Sequence, residues 1–121
     1  MSDQITIARE VLELVDTIRD GLEHLEKRMA EGHFEDTEYL FTDILMASTA
    51  IFRASQPFIT ENDQEIMDRL KEKLLMALDG MSANYEQKKL SVARMDLQFV
   101  LIPAYQVWQA EIHKCLSPWL E

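Results

Sequence analysis

The stretch AREVLELVDTIRDGLEHLEKRM, residues 8–29, decides the fold. Ala8, Val11, Val15, Ile18, Leu22, Leu25 and Met29 recur at steps of three and four without a miss. That spacing gathers side chains into one stripe along an α-helix. Held over three heptads, it makes the seam along which helices pack in coiled coils and bundles. A helix with such a stripe must bury it against partners, so the remaining sequence should supply them.

Three further helical segments follow. The first helix is predicted over about 2–31, with Gly32 suited to a helix stop. The second is predicted over 35–56, with Leu40, Ile44, Ala47 and Ile51 as its inner row, flanked by Phe41, Leu45 and Phe52. Pro57 ends it, because the residue before a proline avoids the α region. The third is predicted over 60–88. Thr60-Glu61-Asn62-Asp63 reads as a capping box, and Ile66, Leu70, Leu74, Ala77 and Met81 carry the stripe toward Tyr85. The fourth is predicted over 91–117. No Gly or Pro marks the 88–91 junction, so the sequence leaves open whether the third and fourth helices are separate.

The fourth segment contains DLQFVLIPAYQVWQ, residues 96–109, with Pro103 inside an otherwise helical pattern. Proline lacks a backbone donor and clashes with the preceding turn, at a cost of about 3 kcal/mol in a helix interior. Before it the apolar row reads Val92, Met95, Phe99, Ile102. After it the row reads Tyr105, Trp108, Ile112, Leu116, with Leu101 in line. The two rows are rotated by roughly 130° about the helix axis. A proline kink at the handover is therefore expected, with the first row closing the bundle and the second free to face something else. Four helices with short links predict an all-α fold, an antiparallel up-down four-helix bundle in a single domain spanning 1–121.

Composition agrees and excludes several functions. The 121 residues are 47% hydrophobic, with only three Gly and three Pro, too few for the many turns of a β-rich fold. Twelve basic against 22 acidic side chains give a net charge of −10, which repels nucleic-acid phosphates and anionic membrane surfaces. The lone Cys115 rules out an intramolecular disulfide. MSDQITIARE lacks the basic and apolar regions of a secretory leader. The longest apolar-leaning stretch, ILMASTAIF at 44–52, falls short of the about 20 residues that span a membrane. A cytoplasmic location is the expectation.

The stretch D-L-Q-F-V-L-I-P-A-Y-Q-V-W resembles one found in small all-helical proteins of bacteria, with an acid, a leucine, an aromatic, a second leucine, a proline and a tryptophan in that order. It maps here onto Asp96, Leu97, Phe99, Leu101, Pro103 and Trp108. The resemblance implies a bacterial helical bundle and no particular activity.

No catalytic, cofactor or metal centre is expected. A di-metal bundle uses Glu-x-x-His pairs, but the residues three before His24, His33 and His113 are Gly21, Ala30 and Ala110. His113 and Cys115 are two apart, on different faces of one helix, and no Gly-rich phosphate loop exists. The protein is expected to be a non-enzymatic bundle acting by self-association as a homodimer or by docking a partner helix. The expected interface residues are Leu101, Tyr105, Trp108, Ile112 and Trp119. An acidic knuckle of Glu31, Glu35, Asp36, Glu38 and Asp43 is a second docking candidate, for a basic partner. The rival reading is a ligand- or metal-binding bundle, possibly an enzyme, using Asp43, Asn84, Tyr85 or Asp96.

Overall fold

Every residue of the 8–29 stripe is buried, and Leu12 joins it. The computed structural model describes residues 2–121, the Ser2 side chain apart. Its helices are α1 (Ser2–Ala30), α2 (Thr37–Ser55), α3 (Glu61–Glu86), α4 (Leu90–Asp96) and α5 (Ile102–Leu116). A π-helical segment, Leu97–Leu101, joins α4 to α5, so these three form one continuous fourth arm. Short 3-10 turns lie at Gln56–Phe58 and Ser117–Leu120. No strand occurs among the described residues.

Cross-helix pairs show that neighbouring arms run antiparallel. Gly21 faces Ile44 between α1 and α2. Thr37 meets Tyr85 at one end of the α2–α3 pair, and Gln56 meets Gln64 at the other. Asn84 bonds Asp96 at one end of α3, while Asp63 lies beside Cys115 at the opposite end. Arg19 bonds Gln109, and Ile5 and Trp119 line one hollow, which places α5 antiparallel to α1. The architecture is thus the up-down four-helix bundle that the stripes predict.

Two corners at the same end of the bundle are built alike. After α1, the Gly32 amide donates to Met29 and the His33 amide to Arg28. After α3, the Lys88 amide donates to Tyr85 and the Lys89 amide to Asn84. Both are Schellman caps, which satisfy the last free carbonyls of a helix and require one left-handed residue. Gly32 fills that place at φ +85 and Lys88 at φ +54. The left-handed region is unfavourable for any residue with a Cβ. Lys88→Gly is therefore expected to raise the unfolding free energy by about 0.5–1 kcal/mol, measured by urea denaturation. The Lys88 corner also separates the third and fourth arms. The capping box expected at Thr60 does not form. Thr60 is the N-cap, but its hydroxyl donates to the Asp63 carboxylate (3.2 Å) and not to a backbone amide.

The fourth arm corrects the two-row reading. Its buried residues are Ala93, Leu97, Leu101, Ile102, Tyr105, Trp108, Ile112, Cys115 and Leu116, one unbroken row. The steps 93, 97, 101, 105 span twelve residues in three turns, where an α-helix supplies about 10.8. The wider π turn supplies the missing residue. Its defining bond runs from the Ile102 amide to the Leu97 carbonyl. Pro103 then falls in the first turn of α5, where its missing donor and fixed φ do least harm. The irregularity at Pro103 is thus a π turn that keeps one face inward, and not a handover between two faces.

Candidate functional site

The expected interface belongs to the core. Leu101, Tyr105, Trp108 and Ile112 are at most 1% exposed. Tyr105 donates its phenol proton to the Val15 carbonyl at 2.6 Å. Burial, with the Asp16 carboxylate nearby, pushes that phenol far above its ordinary pKa, and Arg19 offsets only part of the shift. Trp108 meets the Phe52 ring edge-on, with centroids 5.4 Å apart. Trp119 is half-buried and closes the far end of the bundle. It donates its indole N–H to the Phe58 carbonyl at 3.1 Å and packs edge-on against that ring. These side chains are occupied by their own chain, because the π turn rotates them inward.

The residues expected to close the bundle are the exposed ones. Val92, Met95 (60% exposed), Phe99 (65%) and Val100 stand on the outer side of the fourth arm, with Val107 (55%) beyond the proline. Ile102 is the one member of the expected first row that is buried. No Asp, Glu, Lys or Arg occurs from 97 to 110. The nearest acid, Asp96, accepts a hydrogen bond from Asn84 at 2.8 Å. Lys88 and Lys89 precede the strip and Arg94 lies at its start, so this flank carries three basic residues in a strongly acidic chain. Charge depletion with exposed Phe and Met is the composition of an interface core.

The acidic knuckle does not gather into one group. Asp36 lies 3.5 Å from Arg28 and 3.7 Å from His33, while Glu31, Glu35, Glu38 and Asp43 are exposed. Its backbone is held by its apolar residues. Phe34 stacks on Tyr85 with centroids 5.0 Å apart, and Tyr85 stacks on Phe41. Burial pushes the Tyr85 phenol up to about 12, despite its 2.8 Å bond to Thr37. Of the polar residues considered for a ligand site, Asn84 pairs with Asp96, Tyr85 pairs with Thr37 outside that set, and Asp43 faces solvent. On the opposite side of the fourth arm, His113 and Gln109 bond Asp16. Although partial burial opposes it, these bonds and the His113 charge hold the Asp16 carboxyl below its ordinary value.

One further group lies between α3 and α5. Ligand atoms of Asp63, Glu111 and Cys115 all fall within 4.8 Å of one another. Burial first, then the Asp63 and Glu111 carboxylates, push the Cys115 thiol up to about 11.

The profile of a protein family described as a domain of unknown function, DUF8042, matches residues 6–111, from early α1 into α5. The chain belongs to the DUF8042 family. No curated protein and no solved structure matches it. Within this DUF8042 domain no helix is long and apolar enough to cross a membrane, among the described residues. The exposed strip, the π turn, Asp63 and Glu111 lie inside the DUF8042 match, and Cys115 lies just beyond it.

Proposed function

We propose that the protein is a non-catalytic, cytoplasmic association module that forms a homodimer through the outer face of its fourth arm. The observation that carries this reading is the exposed apolar strip of Val92, Met95, Phe99, Val100 and Val107, which has no charged residue from 97 to 110. Two copies with a net charge of −10 repel each other. A face free of acids along 97–110, with Lys88, Lys89 and Arg94 at its flank, is where they meet with least repulsion. The spacing of the strip also suits the second reading, docking of one amphipathic helix from another protein.

Sedimentation velocity over micromolar concentrations tests the proposal. The native chain is expected to show a concentration-dependent dimer. Met95→Glu with Phe99→Glu is expected to weaken it at least about 100-fold while the monomer keeps its helical circular dichroism, since both side chains are mostly exposed. A native chain that stays monomeric throughout, or a dimer that survives both substitutions, overturns the homodimer.

A further inference from the structure

We infer that Asp63, Glu111 and Cys115 form a binding site for a divalent transition-metal cation of the zinc type. This inference is independent of the association reading. Glu111 and Cys115 are four residues apart on α5, so they share one face. Asp63, in the first turn of α3, meets them because the two arms run antiparallel. The three donor atoms lie within 4.8 Å of one another. Ligand atoms around a tetrahedral zinc ion stand roughly 3.5 Å apart at ordinary bond lengths, so modest side-chain rotations close the site.

The independent sign of a missing ligand is Glu111 Oε1. This one oxygen is buried, while Glu111 as a whole is half-buried, and among the described residues it has no hydrogen-bond partner. A buried carboxylate oxygen left unpaired is costly, and so is a second carboxylate beside it. Neither Asp63 nor Glu111 belongs to an ion pair among the described residues. A cation between them satisfies both. The Thr60 hydroxyl, bonded to Asp63 Oδ2 at 3.2 Å, orients the first carboxylate from behind. The donor chemistry selects the metal. A thiolate with two carboxylates suits zinc, cobalt or a similar borderline cation, whereas calcium and magnesium take oxygen ligands alone. Binding replaces the thiol proton of Cys115, which is 5% exposed, by the metal, and one proton leaves to solvent.

Cobalt(II) titration of the full chain tests the site, since a cobalt–thiolate bond absorbs in the near ultraviolet. The expected result is a charge-transfer band saturating at one cobalt per chain, displaced by zinc, with one proton released per metal. Cys115→Ser is expected to abolish the band. Glu111→Gln and Asp63→Asn keep the side-chain shapes, and each is expected to weaken binding at least tenfold while the chain remains folded by circular dichroism. A folded native chain with no band and no proton release overturns the site, as does unchanged affinity in the folded Glu111→Gln and Asp63→Asn proteins.

Discussion

Replacing Trp108 by alanine is expected to lower the unfolding free energy by about 3–5 kcal/mol. For a chain of 121 residues this corresponds to a melting temperature lower by roughly 10–20 °C. Trp108 is 1% exposed, the largest of the fully buried side chains. It meets Phe52 of α2 edge-on and lies against Tyr105 one turn earlier, so it bridges arms that are not sequence neighbours. The helices on either side are held by their own stripes and cannot collapse into the space it leaves, which is why the cavity contribution adds to the lost burial. Trp119→Ala removes a half-buried ring and one hydrogen bond at the end of the bundle, and its effect is expected to be less than half as large. Thermal and urea unfolding followed by circular dichroism make the comparison. Equal losses at the two tryptophans contradict the assignment of Trp108 to the core.

Removing one residue from the fourth arm is expected to be tolerated or ruinous according to place. Deleting Val100 takes the extra residue out of the π turn, so the arm becomes a regular helix with the same inner face. Pro103 then lies in a helix interior and costs about 3 kcal/mol. Val100 deletion combined with Pro103→Ala is therefore expected to recover most of the native stability. Deleting Ala110 instead rotates everything after it by about 100°. Ile112, Cys115 and Leu116, all at most 5% exposed, then turn outward. At about 1.5–3 kcal/mol for each large aliphatic side chain, this is expected to unfold the chain. Circular dichroism and urea titration of the three variants settle the matter. If the Val100 deletion with Pro103→Ala is as unstable as the Ala110 deletion, the π turn is not what holds the register.

The first stripe shows how much the sequence could reveal. From Ala8 to Met29 its spacing averages the helical period, so periodicity alone selects the buried face. The fourth arm defeats the same reasoning, because Ala93, Leu97, Leu101 and Tyr105 repeat every four residues and drift across a regular helix. Counted at 100° per residue, Val92, Met95 and Phe99 look like the inner row. Only a π turn makes the four-residue row coherent, and its signal was the proline two residues after it. The Lys88 corner was hidden for another reason: backbone hydrogen bonds, and no residue preference, hold a lysine in the left-handed region. Glu111 and Cys115 could be paired from their spacing, but Asp63 joins them only through tertiary packing, 48 residues before Glu111.

Helical bundles ordinarily fray from their ends, where backbone groups meet water. Here Phe34, Tyr85 and Phe41 clasp one end, and Phe58 with Trp119 clasps the other. Both tips are thus fastened, and the loosest helical hydrogen bonding sits mid-arm, where the π turn and Pro103 interrupt the regular ladder. Amides of residues 97–103 should therefore exchange with deuterium sooner than those of α1, so the bundle breathes from its waist and not from its tips. That waist carries Phe99 and Val100, the centre of the exposed strip. A contact made there also quiets the softest part of the molecule.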